Sequence, residues 1–479
     1  MYFAFVLMIC IQTLYLCLQF YHFQWYFIDD LLTLELIKKN SLIELYNSLL
    51  SGVNVFPPLY FLICYLITNT LCLSENCLVW LNLPAYIFGV YFSYKSFKIV
   101  STPDISILAV TIMCTVKCSV LPYINQVRPY TFYYSLTALL IYLVLRYKKN
   151  YCKKYFWSIF ITFQLLSQSH YYGFGVGLLV CLPLLFINET LKQKFIKVFI
   201  IAVPSLVFNL HFLLNQLEFT YSGDLLKETS FEQIYIVYSS FFHSSIVIFF
   251  VITLILIFRF KNLTIFLKII KFPEFSFFLL LIFPVLISIL LFLSNIKGLN
   301  FRYFIPCQIG LIGCFVSIYN YANVKKCFNN LNIYLTICIV FTSMWIYRNF
   351  SNDFFNSFTE LKLPAGLNNS VLKEIKSSKH PIVTNQLSTF LYLKRNNTHS
   401  DIYFLRTKQN EILKFPIFSK SLKPLTLNNL EKLNNFYYHF FKIGEYDTIN
   451  FTPEIWANDN NFYCEKLSFH SNFYKLSKF

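Results

Sequence analysis

The sequence predicts a polytopic α-helical membrane protein with a small α/β domain at its C-terminal end. Three observations predict it. Of the 479 residues, 56% are hydrophobic and 20% aromatic while only 13% are charged, about half the charge of an average soluble chain. Apolar runs near the ~20 residues that cross a bilayer as a helix recur from residue 1 to about residue 348. Beyond that point the composition turns to Asn, Lys and Ser with mixed periodicity. The net charge of +17 would suggest a nucleic acid partner in a soluble protein. Here the basic residues cluster between apolar segments, as the positive-inside bias requires, so no nucleic acid is expected.

The apolar segments fall near 4–22, 57–74, 77–93, 103–122, 130–146, 155–169, 172–187, 197–215, 241–258, 275–294, 303–320 and 331–348. Residues 1–20 lack a basic leading region and a small-residue cleavage site, and read as a retained first span. Basic connections follow at Lys95/Lys98, Arg146 to Lys154, Lys192 to Lys197, Arg259 to Lys271 and Lys325/Lys326. If all twelve segments crossed from an inner N-terminus, most of these clusters would lie outside. Segment 57–74 resolves the conflict. Pro57-Pro58 start a helix there, and Thr68, Asn69 and Thr70 interrupt its second half. Laid along the outer surface as a juxtamembrane helix, it puts every basic connection inside. About eleven spans result, with a cytoplasmic N-terminus and an extracytoplasmic or lumenal C-terminal domain. The expected division is 1–348, with the outer loop 23–76, and 349–479.

In the tail, 370–378 and 387–395 read as helices, 380–385 and 401–407 as strands, 425–441 as a further helix, and the last stretch as one or two strands. No phosphate-cradling glycine loop occurs there. Four glycosylation sequons (Asn349, Asn368, Asn396, Asn450) are unremarkable in so Asn-rich a segment. Fourteen cysteines are scattered without metal-ligand spacing, so they read as small buried hydrophobes.

Span parity brings most chemistry-bearing residues to the outer face. Asp29-Asp30 follows the first span; one of them could simply cap a helix over 31–50, but paired carboxylates beside a bilayer are costly unless they have a partner or a task. Phe56-Pro57-Pro58-Leu59-Tyr60 on its own is a helix start. Arg128, in Gln126-Val127-Arg128-Pro129-Tyr130, could be a snorkelling anchor. It opposes the charge bias, however, and a guanidinium suits two-point phosphate recognition. His170-Tyr171 lies in a tight hairpin, and Arg302-Tyr303 opens a late segment.

In this order and spacing the five motifs resemble the GT-C superfamily of integral-membrane glycosyltransferases. The likeness is to the glycosyltransferase-39-like group, which includes protein O-mannosyltransferases and lipid A aminoarabinose transferases. That pattern has Asp-Glu after the first span, His-Pro-Pro-Leu-Tyr about thirty residues on, Glu-x-Arg-Pro-Tyr, a His-Tyr hairpin and a late Arg-Tyr. The resemblance covers residues 1–348 and extends loosely into the tail. It implies a GT-C fold and transfer of a sugar from a polyprenyl- or dolichyl-phosphate donor to a hydroxyl of a glycan, lipid or protein acceptor, with inversion.

The resemblance makes Asp29 the general base and Asp30 a second acid. It places the donor phosphate or substrate with Arg128, Tyr130, His170, Tyr171, Arg302 and Tyr60. Three positions depart from the pattern: Asp30 stands for Glu, Phe56 for His and Gln126 for Glu. The last two disfavour the divalent cation that relatives use, and no cofactor is required. A transporter or flippase for lipid-linked glycans and a catalytically inactive scaffold are the alternatives. The chain shows no internal repeat and almost no acidic residue within its spans, which tells against the first; Phe56 and Gln126 support the second.

Overall fold

The structure is a computed structural model. It describes residues 2–21, 28–52, 56–71, 75–115, 121–186, 190–220, 275–293 and 301–321. In the C-terminal part it describes 380–384, 387–396, 401–405, 423–425, 435–439, 462–466 and 473–478, with isolated positions 343, 371, 373–375 and 433. The predicted segments 241–258 and, except for position 343, 331–348 lie outside the described residues, as do the sequons at Asn349, Asn368 and Asn450. The chain forms two compact units. One comprises Met1–Phe23, Val55–Leu217 and Gly223–Phe354; the other comprises Gln24–Asn54, Glu218–Ser222 and Phe355–Phe479.

The first unit is helical. Its helices are α1 (Tyr2–Tyr21), α4 (Leu59–Thr70), α5 (Asn82–Val100), α6 (Pro103–Thr115), α7 (Leu121–Ile124), α8 (Tyr130–Asn150), α9 (Lys153–Ser169) and α10 (Tyr171–Cys181). All but the end of α11 (Leu191–Thr220), α12 (Phe275–Leu293) and α13 (Cys307–Tyr321) complete it. Among the described residues, Glu75–Val100 and Phe195–Gln216 are long and apolar enough to cross a membrane. Tyr171–Leu185, Phe275–Leu290 and other apolar helices are shorter.

Several polar side chains buried between these helices find hydrogen-bond partners on a neighbouring helix, as an apolar surrounding favours. Gln12 of α1 donates to the Cys114 carbonyl (3.2 Å) and accepts from the Tyr86 hydroxyl (2.9 Å), tying α1 to α6 and α5. Between α9 and α11, Gln164 donates to the Ile201 carbonyl (2.7 Å) and Ser167 to Ser205 (2.7 Å), while Ser205 donates back to Gln164. α12 and α13 approach closely because Gly310 and Gly313 carry no side chain. A Cβ at Gly313 would overlap the Phe277 ring, and one at Gly310 would meet the Phe277 carbonyl and Leu280. Small residues at helix contacts serve this purpose in membranes.

The second unit contains α2 (Ile28–Ile37), α3 (Leu42–Leu50), α14 (Leu387–Asn396) and a six-stranded sheet. The sequence suggests one surface helix over 31–50, but the structure breaks it at 38–41. Ser41 accepts from the Glu44 amide (3.2 Å) and so caps a new helix. Gly52, at φ 75°, closes that helix in the left-handed conformation that favours glycine. The strands are β1 (Ile382–Thr384), β2 (Ile402–Leu405), β3 (Lys423–Leu425), β4 (Asn435–His439), β5 (Phe462–Lys466) and β6 (Phe473–Lys478). Their order is β3-β2-β1-β4-β6-β5. The first four in that order pair in parallel, and β6 runs antiparallel to both β4 and β5.

Parallel neighbours need a crossover, and α14 supplies it between β1 and β2. All three residues of β1 are buried, as in a central parallel strand. The helix expected over 425–441 is corrected: 435–439 is strand β4, inserted between β1 and β6. The Leu/Asn spacing of 425–434 fits a helical period. The aromatic run Phe436-Tyr437-Tyr438 favours a pleated surface, and pairing on both edges overrides the local pattern.

Candidate active site

Two buried anchors set the loop that carries Arg128. Asn82, at the start of α5, donates its side-chain amide to the carbonyls of Ile124 (2.8 Å) and Gln126 (2.7 Å). The Arg128 amide then donates to the Gln126 carbonyl (2.8 Å), and Pro129 leads into α8. The guanidinium carbon of Arg128, a residue only 3% exposed, lies 4.6 Å over the centre of the Phe56 ring. Asn82 was not singled out from sequence, although a buried amide at the head of an apolar segment is a signal for a backbone clamp. Replacing Asn82 with leucine strands two buried carbonyls, and is expected to cost about 2–4 kcal/mol of stability. A lowered thermal midpoint in detergent would show it.

His170 is the hinge of the α9–α10 hairpin. Its backbone is extended, and its Nδ1 accepts from the Tyr172 amide (3.1 Å), capping α10 in the manner of a shorter polar side chain. With Nδ1 accepting, the proton of the neutral ring sits on Nε2. That nitrogen is buried and has no hydrogen-bond partner among the described residues. Burial, with the positive charges of Arg128 and Arg302 adding to it, holds the imidazole far below its ordinary range, at about 3. The ring is therefore a neutral N–H donor beside two cations.

Five aromatic rings enclose it. Tyr133 stacks at 4.7 Å between centroids, Phe56 and Tyr303 lie at 5.1 Å, Tyr172 at 5.6 Å and Tyr130 at 6.1 Å. Arg302, in the short 3-10 turn Phe301–Phe304, places its guanidinium carbon 5.5 Å from the Tyr303 ring and 5.7 Å from the Tyr130 ring. The Tyr133 hydroxyl donates to the Tyr303 carbonyl (3.2 Å), joining α8 to that turn.

Because the folded His170 value lies below the unfolded one of 6.5, its contribution to stability is fully present above pH ~6.5. It is lost progressively as pH falls from there towards ~3. His170→Gln removes this titration, so its thermal midpoint is expected to fall less steeply than the wild type's on acidification. A melting series from neutral to acid pH checks this.

Of the residues expected from sequence, Arg128, Tyr130, His170 and Arg302 thus come together in the first unit. Tyr60 is fully buried on α4 and packs against Phe132 of α8 at 5.5 Å. Tyr171 turns its hydroxyl to Gln216 of α11 (2.6 Å), while its neighbour Tyr172 joins the ring cluster. Asp29 and Asp30 belong to the second unit, in the first turn of α2. Asp30 is fully buried; the Asp29 side chain lies outside the described residues. Phe56, Tyr133, Tyr172 and Tyr303 were not expected as contributors. Among the described residues no three His, Cys, Asp or Glu side chains gather as a metal site would require.

No protein-family model matches the chain, and no curated protein matches it in sequence. Solved structures do match. A crystal structure of ArnT from Cupriavidus metallidurans bound to undecaprenyl phosphate aligns with a TM-score of 0.61 at 10% identity, over 98% of this chain and 97% of that one. The apo structure of ArnT from the same organism aligns at 0.53 and 10% identity, over 88% and 87%. At such identity the likeness is one of fold, and it extends across nearly the whole of both chains. The chain therefore has the GT-C fold that its motif order led us to expect.

Proposed function

We propose that the protein is a multi-pass membrane glycosyltransferase that takes a sugar from a polyprenyl- or dolichyl-phosphate carrier and transfers it to an acceptor hydroxyl on the outer or lumenal face. The observation that carries this reading is the cluster around His170. Two guanidinium groups and one neutral imidazole N–H, drawn from positions 128, 170 and 302, meet inside an aromatic enclosure. Charged and neutral donors so arranged suit a phosphate, to which an arginine can offer two parallel hydrogen bonds. The aromatic walls suit the first isoprene units or a sugar face. The ArnT structure with undecaprenyl phosphate supports the same ligand chemistry for this fold.

In the proposed reaction the acceptor oxygen attacks the anomeric carbon as the bond from that carbon to the phosphate oxygen breaks. The configuration inverts because a single displacement occurs and no sugar is held covalently by the protein. The carrier phosphate leaves with its charge held by Arg128, Arg302 and the His170 Nε2–H. Asp29 accepts the hydroxyl proton, with Asp30 as the second acid; that assignment rests on the motif resemblance. In the absence of ligand, burial and the two arginines hold His170 neutral, so the reading gives it the role of a donor to the phosphate and not of the base.

The test is to offer purified protein in lipid nanodiscs a panel of polyprenyl-phosphate sugars and to follow release of the polyprenyl phosphate with glycosylation of an acceptor. The reading predicts both together. Movement of intact lipid-linked glycan across the bilayer with no glycosidic product would contradict it in favour of a transporter.

A further inference from the structure

The departure at position 56 has a structural role of its own. Phe56 is 5% exposed and stands where the resembled motif has histidine. Its ring plane is set by two neighbours at steep angles: Tyr130 (6.1 Å, 83°) and His170 (5.1 Å, 67°). The Arg128 guanidinium carbon sits 4.6 Å from the ring centre, well inside the ~6 Å within which a cation is drawn to an aromatic face. The loop bearing Arg128 is already tied at its backbone through Gln126 and Asn82. The ring adds a contact to the guanidinium end of the side chain.

We infer that Phe56 is a positioning residue whose aromatic face orients the Arg128 guanidinium toward the carrier phosphate, in place of a polar contact at this position. This rests on the function proposed above. A guanidinium held flat on a ring keeps its N–H groups in the plane of the stack, directed outward at its rim. It can still donate them to two phosphate oxygens, since stacking uses the face of the cation and hydrogen bonding its edge. The desolvated setting strengthens the attraction, because neither partner faces bulk water. Plain core packing would hold the same ring by its shape alone. The two roles differ in one respect: only the positioning role depends on the electron density of the ring face.

The experiment replaces Phe56 in the full-length protein with mono-, di- and trifluorophenylalanine. Fluorine nearly preserves the shape of the ring and drains charge from its face. Binding of undecaprenyl phosphate in nanodiscs is measured, with undecaprenol as the phosphate-free control, alongside the thermal midpoint. The inference expects stepwise weaker binding of the phosphate lipid with each fluorine, reaching about tenfold, with no trend for the alcohol. Phe56→Leu is expected to weaken the phosphate lipid by at least as much. Loss of binding in Phe56→Leu with a flat fluorine series would mean that Phe56 acts by packing, and would overturn the inference while leaving the proposed function standing. A wild-type protein that binds undecaprenol as well as undecaprenyl phosphate would overturn the proposed function itself, and this inference with it.

Discussion

Arg128→Gln is expected to lower kcat/KM for the polyprenyl-phosphate sugar donor by at least ~100-fold. The arginine is buried and its backbone is fixed by the Asn82 clamp, so no other side chain can move into its place cheaply. In the proposed reaction its charge is opposite to the charge that develops on the departing phosphate, where a fixed donor is worth about 10²–10³ in rate. Glutamine keeps an N–H donor but is shorter and loses the charge and the two-point geometry. Arg128→Lys restores the charge without the planar fork, and is expected to recover only part of the loss. Initial rates against donor concentration decide it: a change below about threefold in Arg128→Gln would remove Arg128 from the donor site.

Asp29→Asn is expected to lower kcat by ~10²–10⁴ while leaving donor affinity near that of the wild type. Asparagine matches the carboxylate in size and cannot take the acceptor's proton, so the loss is that of general-base assistance. The contrast with Arg128 is informative because the proposed reaction assigns the two residues different partners, the acceptor proton and the carrier phosphate. A kcat effect at constant affinity assigns Asp29 to chemistry. A variant with wild-type kcat would transfer that role elsewhere, with Asp30 the next residue to test.

Much of the helical architecture was legible from local pattern. The hairpin at His170, the helix start at Leu59 and the entry of α8 behind Pro129 all follow from proline placement and apolar run length. The parallel strand β1 and the crossover helix α14 also lie where alternation and helical spacing put them. Strand β4 was misread because its identity depends on partners far away in sequence, Ile382 to Thr384 on one side and Phe473 to Ser477 on the other.

The site shows the same division. Arg128, His170 and Arg302 were visible because charge at the mouth of an apolar segment is conspicuous. Asn82 and Tyr133 were not, because their roles are contacts across 44 and 170 positions of chain. In a chain whose residues are 20% aromatic, no local signal marks the few rings that enclose an imidazole. Tyr172 illustrates the limit of sequence reading. It is adjacent to the expected Tyr171, yet a step of one residue on a helix turns it to another face, toward His170.

The most direct test of the central claim is mass spectrometry of the glycans, glycolipids and glycoproteins of cells that carry the wild-type chain, lack it, or carry Asp29→Asn. The account predicts that one glycan loses the same sugar unit in the deletion and in Asp29→Asn, and that the polyprenyl-phosphate form of that sugar accumulates in both. A glycan lost on deletion and fully present in Asp29→Asn, with no such donor accumulating, would contradict it.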